Sequence, residues 1–319
     1  MKVLIVGAGV IGSIYGWAFS EAGHSITHLV RPRRANQYNN GITIDLMDRR
    51  KGYKKWFKGF YNIQVTENNT ANIDYDIIIV PVKHYVIEDT LKQLIPLMPK
   101  ADYLLLTQNW NGTAGIDNIL SIDKCVFGDA KAGGSFQDNK LVGTIYAIDI
   151  GIIGSKENES LIKVKNLFLS AGIKTTIQDN ILHYLWVQYA LNGGAWPALI
   201  QAGSLKALLK NPQLVKSSIL AIKECLNILI ARGVEIKKFN ETDIYITNSP
   251  LKKIIGLLLM KLFLNSKYVQ RNSAHALADP KEIKTFYYDL IGTGNNLGVE
   301  MPVMKSFKEV IDNFGIKTE

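Results

Sequence analysis

Three glycines follow an apolar run of four residues near the N-terminus of the 319-residue chain, at Gly7, Gly9 and Gly12. The first glycine permits a tight turn, the second lets backbone approach a pyrophosphate, and the third lets a helix pack close to a strand. A helix predicted to begin at Val10 would direct its N-terminal N–H groups and its dipole at the diphosphate. The residues expected to hold a dinucleotide here are Gly7, Gly9, Val10, Ile11 and Gly12.

Basic residues stand at the end of the second predicted strand, residues 25–30. In an NAD site a carboxylate about 20 residues beyond the glycines binds the ribose 2′-hydroxyl. Arg31, Arg33 and Arg34 occupy that place instead, and planar guanidinium groups match a 2′-phosphate. We therefore expect NADP(H), with Arg31 on its 2′-phosphate; the alternative is a solvated basic loop.

Polar side chains also follow two further predicted strands, residues 76–82 and 103–107. Lys83 comes directly after the first of them and is suited to orient an anion or donate a proton, or else it is an ordinary surface lysine. Asn109 follows the second and is suited to bind the ribose or nicotinamide side of the cofactor, or else to make a turn. A glycine-rich segment at 128–135 is interpreted as backbone close to a ligand or as a flexible loop.

Strand and helix patterns alternate over the first half of the chain, and helical patterns dominate from about residue 178. This predicts an α/β protein: an N-terminal Rossmann domain with a doubly wound parallel sheet, residues 1–177, and a C-terminal all-helical domain, residues 178–319. In such proteins the ligand usually lies between the domains, beyond the carboxyl ends of the strands. Helices are expected near 181–202, 212–232, 251–264, 281–297 and 303–313.

One predicted helix, residues 183–201, carries Gln188, Asn192 and Trp196 at positions i, i+4 and i+8. These three side chains share one face of the helix. The polar pair is suited to bind substrate; the alternative is an exposed polar stripe with Trp196 packed in the core.

Composition excludes several classes of protein. The chain is 47% hydrophobic and 20% charged, which is typical of a folded globular protein, and its net charge of +9 comes from scattered basic residues rather than a nucleic-acid-binding patch. Cys125 and Cys225 have no metal-site or redox-pair spacing, so we expect no metal and a reducing, cytoplasmic location. The apolar run 254–264 is too short to span a membrane and predicts a buried or dimer-facing helix.

Taken together, these motifs resemble the ketopantoate reductase (2-dehydropantoate 2-reductase) family over nearly the whole chain. The matching pieces are Gly7–Ser13, Val30–Pro32, Val82–Lys83, Gln108–Asn109, Trp186, Asn192, Glu282, Gly294, Leu297–Gly298 and Pro302. The resemblance implies a Rossmann domain joined to a helical domain, NADPH as hydride donor, and reduction of a 2-oxo acid to a 2-hydroxy acid.

The chain departs from the family pattern on the helix that opens the second domain. The family has Trp-x-Lys there, with the lysine as general acid, and two asparagines at the following turns. Gln188 stands at the lysine position, Asn192 keeps the first asparagine, and Trp196 replaces the second. An amide donates a hydrogen bond to a carbonyl oxygen but gives up no proton at neutral pH. We therefore expect a substrate other than ketopantoate.

The resemblance also assigns the remaining candidates. Glu282 corresponds to the family glutamate, and Ser273 lies near the family's serine pair, although the spacing between these two differs here. Lys83 is our first choice as replacement proton donor or carboxylate partner, and His275 is the second. Catalytic residues are thus expected at Lys83, Gln188 and Glu282, and substrate-binding residues at Asn192, Trp196, Ser273 and His275. Lys83 is also expected to bind the cofactor, together with Arg31, Asn109 and the glycine loop.

Two other functions remain open. The chain is also consistent with an NADP(H)-binding or sensing protein that has no turnover. A third interpretation is imine (opine-like) reduction, because an iminium carbon is already activated by its positive charge and needs no general acid. The expected partners are a small anionic carbonyl substrate and a second copy of the chain, with neither nucleic acid nor membrane.

Overall fold

A computed structural model describes residues 1–52, 55–67, 74–154, 157–266, 269 and 279–316. The chain forms two compact units. The first unit spans Met1–Leu182, and the second begins at His183. Within the described ranges, no helix combines the length and the apolar character needed to cross a membrane.

The first unit is built on one sheet, in which ten described strands run in the order β4-β3-β9-β8-β7-β6-β1-β2-β5, with β10 beside β9. The strands are β1 (Lys2–Val6), β2 (Ser25–Leu29), β3 (Ile42–Asp48), β4 (Lys55–Tyr61), β5 (Val65–Thr66), β6 (Ile77–Val80), β7 (Asp102–Leu105), β8 (Cys125–Gln137), β9 (Lys140–Gly151) and β10 (Lys174–Ile177). Parallel pairs form the centre, whereas β3–β4 and β8–β9 are antiparallel. The predicted Rossmann architecture is confirmed.

The first unit also contains the helices α1 (Val10–Glu21), α2 (Ile87–Leu94) and α3 (Glu159–Ser170). Helices α1 and α3 pack against the sheet, and the residues of the central strands β6 and β7 are buried throughout. Aromatic rings join α1 to α3: Phe168 contacts Tyr15 and Phe19 edge-on, with ring centroids 5.1 and 5.0 Å apart. The Tyr15 hydroxyl also donates to the Ala147 carbonyl oxygen on β9 at 3.0 Å. The start of α1 is thereby fixed against the sheet.

One segment differs from its predicted loop. The glycine-rich segment 128–135 is neither a loop nor a turn, because it lies inside β8 and pairs along its length with β9. A partner strand, which local sequence does not reveal, here overrides the local preference. Residues 110–119 form a series of hydrogen-bonded turns.

The described residues of the second unit are helical and contain no strand. Its helices are α4 (Ile181–Ala202), α5 (Leu205–Lys210), α6 (Pro212–Ala231), α7 (Asp243–Ile246), α8 (Pro250–Leu264), α9 (Pro280–Asn296), α10 (Pro302–Ser306) and α11 (Lys308–Asn313). The single helix predicted over 303–313 is two short helices, separated at Phe307. Two glycines let α4 pack closely: a Cβ on Gly193 would lie 2.3 Å from Leu290, and one on Gly194 would lie 2.7 Å from the Ile222 Cα.

Helix α8 presents an apolar face to solvent within the single chain. Its most exposed large side chains are Leu251, Leu258, Leu259 and Leu262. The expectation of a buried helix is therefore wrong at these positions, and the dimer-facing alternative stays a prediction.

One buried carboxylate secures the C-terminal part of the second unit. Glu224 on α6 is 9% exposed, and its two oxygens accept hydrogen bonds from the backbone N–H groups of Val303 and Met304, at 2.9 and 2.7 Å. These N–H groups belong to the first turn of α10, where no intrahelical acceptor exists. Glu224 therefore caps α10 from a distant part of the chain.

We expect Glu224→Ala to lower the free energy of unfolding by about 2 kcal/mol, because two buried donors lose their charged acceptor. Thermal unfolding followed by circular dichroism measures the effect. The matched control is Glu309→Ala, since Glu309 is an exposed acidic residue in the same region. Equal losses in the two variants would contradict the capping role.

Candidate functional site

The glycine loop between β1 and α1 adopts the geometry that its residue types require. Gly7 has φ of +87°, in the region that favours glycine, and its N–H donates to the Leu29 carbonyl oxygen on β2 at 2.7 Å. A Cβ on Gly12 would lie 3.0 Å from Ile5 Cγ2, so this glycine allows α1 to approach β1. Gly9 differs from Gly12, because a Cβ on Gly9 would lie more than 4 Å from every described residue other than its two neighbours in the chain. The space beside Gly9 is open to a ligand.

Five consecutive backbone N–H groups in this loop find no acceptor among the described residues. They belong to Ala8, Gly9, Val10, Ile11 and Gly12. The first bonded N–H of α1 is that of Ser13, which donates to the Gly9 carbonyl oxygen at 2.9 Å. The first turn of α1 contains no acidic residue and has no side-chain cap. A row of free donors at the positive end of a helix is suited to bind an anion such as a diphosphate.

Two buried hydroxyls lie in the segments that follow β1 and β7. Ser13 Oγ, in the first turn of α1, and Thr107 Oγ1, just beyond β7, are buried without a hydrogen-bond partner in the described structure. A buried hydroxyl without a partner costs free energy that a polar ligand can recover. With the open space at Gly9 and the free N–H groups, these observations fit a dinucleotide.

The arginine loop beyond β2 is held by a carboxylate that sequence reasoning missed. Glu67, just after β5, accepts a hydrogen bond from the Ala35 N–H at 2.7 Å. That bond and weaker ones from the backbone N–H groups of Arg33 and Arg34 lower the pKa of Glu67. The guanidinium groups of Arg31 and Arg33 are exposed and bond to no residue in the described part of the chain. The loop backbone is therefore fixed while these two cations stay available.

Lys83 and Asn109 lie beyond the carboxyl ends of two neighbouring strands, β6 and β7. Lys83 is half-buried and directly precedes a single 3₁₀ turn, His84–Val86. Asn109 is 4% exposed, and its side-chain Nδ2 donates to the Gly112 carbonyl oxygen. At least one donor of its amide group thus closes a turn. This agrees with the interpretation of Asn109 as a turn residue, which the sequence had left open.

Four of the predicted residues belong to the second unit. On α4 the Nε2 atom of Gln188 is buried and has no hydrogen-bond partner among described residues, and the Asn192 amide likewise bonds to none of them. The Trp196 ring packs against Phe286 of α9, with centroids 4.6 Å apart. Glu282 lies in the first turn of α9, where its N–H donates to the N-cap residue Asp279 at 3.1 Å. The two other candidates, Ser273 and His275, lie outside the described residues.

Helix α4, which carries Gln188, is held in place by contacts of neighbouring side chains. Tyr189 stacks on Phe286, with ring centroids 3.7 Å apart, and its hydroxyl donates to Asp289 at 2.6 Å. Burial raises the pKa of Tyr189, so it stays a neutral donor. On another side of α4, the Arg232 guanidinium lies 3.7 Å from the Trp186 ring centroid. These contacts restrict rotation of α4 about its axis.

Sequence reasoning also missed His28. This residue lies on β2, is fully buried, and places its Nδ1 atom 2.8 Å from the Gly7 carbonyl oxygen. The available signal was the alternation along β2, where Ile26 and His28 take the buried positions. A histidine at a buried position of a strand indicates a polar partner. The described residues contain no cluster of three or more His, Cys, Asp or Glu that could hold a metal ion.

Comparison with known proteins agrees with this geometry. Residues 3–134 match the model of the family described as ketopantoate reductase PanE/ApbA. The 2-dehydropantoate 2-reductase of Pyrococcus abyssi is 25% identical over 244 residues, which cover 74% of this chain and 76% of the relative. The enzyme of that name from Aquifex aeolicus is 27% identical over 199 residues, or 58% of each chain.

Solved structures share the fold. The 2-dehydropantoate 2-reductase of Geobacter metallireducens GS-15 superimposes with a TM-score of 0.73 at 15% identity, covering 98% of this chain and 99% of its own. A D-mandelate dehydrogenase with NADH and anilino(oxo)acetate gives a TM-score of 0.74 at 15% identity, covering 99% and 100%. The similarity to the ketopantoate reductase family model thus lies in residues 3–134, and the solved structures show a shared fold. The relatives named here are oxidoreductases.

The open space at Gly9 generates a prediction. Gly9→Ala should leave the unfolding temperature unchanged while raising the dissociation constant for NADPH at least about tenfold, because the added methyl group occupies only ligand space. Fluorescence titration and thermal unfolding measure the two quantities.

Gly12→Ala is the matched comparison, since its Cβ would press on Ile5 and on the Gly7 carbonyl oxygen, 3.3 Å away. It should weaken NADPH binding and also lower stability by about 1 kcal/mol. If Gly9→Ala bound NADPH as tightly as the unaltered protein, the diphosphate would lie elsewhere.

Proposed function

We propose that this chain is an NADPH-dependent oxidoreductase that reduces a small 2-oxo acid to the corresponding 2-hydroxy acid. The observation that carries the proposal is the row of five N–H groups from Ala8 to Gly12, for which the described part of the chain offers no acceptor. Such a row at the start of a helix that follows a parallel strand is suited to bind a diphosphate. The family and the activities named for the relatives support the reaction class.

The phosphate form of the cofactor is favoured by the charges beyond β2. Arg31 and Arg33 are exposed and unpaired there among described residues, and guanidinium groups bind phosphate in two-point geometry. Glu67, the nearby carboxylate, is engaged by backbone N–H groups of the loop. One structural neighbour is a D-mandelate dehydrogenase with NADH. We propose that the arginines of this chain favour NADPH over NADH.

The chemistry proposed for the site is carbonyl reduction. The nicotinamide, when bound, would supply a hydride to the carbonyl carbon, and the carbonyl oxygen then takes a proton. We assign that proton to Lys83, with His275 as second choice, and assign polarisation of the carbonyl oxygen to the unpaired amide of Gln188. Asn192 and Glu282 are proposed to bind substrate.

The substrate is proposed to differ from ketopantoate. Gln188 has no proton to give at neutral pH, and loss of a positioned acid costs about 10²–10⁴-fold in rate. Trp196 adds a large ring, packed on Phe286, at a position where the family has a small amide. A substrate with a more reactive carbonyl group would compensate for the missing acid. A substrate of a different shape would fit beside Trp196.

A screen of 2-oxo acids tests this proposal. Oxidation of NADPH, followed by its absorbance, should appear with at least one small 2-oxo acid, and Lys83→Ala should reduce that turnover by at least about 100-fold. NADPH binding without turnover of any 2-oxo acid would favour the non-catalytic binding protein. Turnover only when an amine is added would indicate imine reduction.

Restoring the family lysine is a sharper test of the substrate assignment. Gln188→Lys should create or raise ketopantoate reduction by at least about 100-fold, because a proton donor returns to the carbonyl. Gln188→Met is the matched control, as it has similar size and no charge. No gain in Gln188→Lys would show that Trp196 and its surroundings exclude ketopantoate.

Arg31→Ala tests the cofactor. The dissociation constant for NADPH should rise about tenfold, since one charge-assisted contact to the 2′-phosphate is lost, while that for NADH changes little. Lys58→Ala removes an equal charge from an exposed position on β4 and serves as the control. A parallel loss for both cofactors would place Arg31 away from the 2′-phosphate.

We also propose a homodimer in a reducing, cytoplasmic location. The exposed leucines of α8 provide an apolar surface, and a ketopantoate reductase from Staphylococcus aureus that shares the fold is described as dimeric. Both cysteines, Cys125 and Cys225, are free thiols in the core of their units, as a reducing compartment requires.

A further inference from the structure

The buried His28 imidazole makes one hydrogen bond at each ring nitrogen. Its Nδ1 lies 2.8 Å from the Gly7 carbonyl oxygen, and its Nε2 lies 3.0 Å from the Tyr61 hydroxyl. A carbonyl oxygen only accepts hydrogen bonds, so Nδ1 carries the proton and Nε2 accepts from Tyr61. Burial lowers the pKa of His28 to about 4, which keeps the ring neutral at physiological pH. The tautomer is thus set by the partners.

The space around this ring is closed by a glycine of α1. A Cβ on Gly16 would lie 2.5 Å from His28 Nε2 and 2.8 Å from the Tyr61 hydroxyl. Only glycine lets α1 pass over the histidine without displacing it. Gly16 of α1 therefore lies against the ring and Tyr61 of β4 is bonded to its Nε2 atom, so two different elements limit movement of His28.

These contacts determine the orientation of the peptide that joins Gly7 to Ala8. The Gly7 N–H donates to the Leu29 carbonyl oxygen at 2.7 Å, and its carbonyl accepts from His28, so both polar groups of Gly7 are bound to β2. In a planar trans peptide the C=O and the following N–H point in opposite directions. The Ala8 N–H is thus directed away from β2, and it begins the row of five donors that have no acceptor within the described ranges.

We propose that His28 is a positioning residue for the cofactor: by holding the Gly7 carbonyl, it orients the Ala8 N–H and the glycine loop toward the cofactor diphosphate. This inference rests on the proposed dinucleotide function. The diphosphate is common to NADPH and NADH, so His28 should affect both cofactors equally, in contrast to Arg31.

Two amide substitutions separate the two bonds of the ring. In His28→Asn the side-chain Nδ2 can take the place of Nδ1 and still donate to the Gly7 carbonyl. In His28→Gln the amide reaches only the place of Nε2, so the bond to Gly7 is lost. Tyr103→Phe is the stability control, because it removes a different buried hydroxyl of the first unit, which donates to Met98 at 3.1 Å.

Fluorescence titrations with NADPH and NADH, thermal unfolding and, where turnover is found, steady-state kinetics are measured for each variant. We expect His28→Gln to raise both dissociation constants about tenfold, and to raise KM for the cofactor while kcat changes little. His28→Asn should stay within about threefold of the unaltered protein in affinity although it unfolds at a lower temperature. Tyr103→Phe should lose stability without losing affinity.

Three outcomes would overturn the assignment, and they are distinguishable. Equal cofactor affinity in His28→Gln and the unaltered protein would show that the Gly7 bond does not position the donors. Equal losses of affinity in the Asn and Gln variants would show a merely structural role. If the unaltered protein binds neither NADPH nor NADH, the dinucleotide function itself fails, and the role of His28 fails with it.

Discussion

The site depends on one constraint, which is that the loop between β1 and α1 keeps five successive N–H groups without acceptors among the described residues. Backbone donors this close to the core are normally paired, so the surrounding structure must hold them open. It does so through the neighbouring strand β2, which binds both polar groups of Gly7 by the Leu29 carbonyl and the His28 ring. Close packing of Gly12 on Ile5 then fixes the start of α1 against β1.

The same principle operates at the arginine loop. Its backbone N–H groups are held by the Glu67 carboxylate, while the guanidinium groups of Arg31 and Arg33 remain exposed and unpaired in the described structure. In both places neighbouring strands, β2 and β5, supply the contacts that fix the backbone. The groups left free, amide donors in one case and cations in the other, are those suited to bind phosphate.

In the second unit, the side-chain nitrogen of Gln188 has no hydrogen-bond partner among the described residues. Gly193 and Gly194 let α4 approach its neighbours closely, and Tyr189, stacked on Phe286, limits rotation of the helix. The amide nitrogen of Gln188 is buried on this fixed helix with no described acceptor. We propose that Gln188 replaces a lysine of the family pattern, and a buried lysine would need a counter-charge that an amide does not. The exchange therefore changes the chemistry proposed at this position more than it changes the packing.

Much of the fold was predictable because its signals are local. The apolar run at 3–6, the spacing of Gly7, Gly9 and Gly12, and the long helical pattern at 181–202 each reflect contacts within one or two elements. Glycine is a strong signal at such a turn because the backbone conformation requires it: φ of +87° at Gly7 is costly for other residues. The family resemblance, carried by such motifs, followed from the sequence as well.

What the sequence could not reveal are the contacts between residues far apart in the chain. The segment 128–135 looked like a glycine loop, yet pairing with β9 makes it a strand. The role of His28 depends on the fold, which places Gly7, Gly16 and Tyr61 around its ring. Glu67 likewise binds a loop that lies about thirty residues earlier in the chain. The sequence by itself determined the dinucleotide loop and the helical second half, because their spacing is local. Tertiary structure alone decided which groups hold that loop open, because those hydrogen bonds join separate strands and helices.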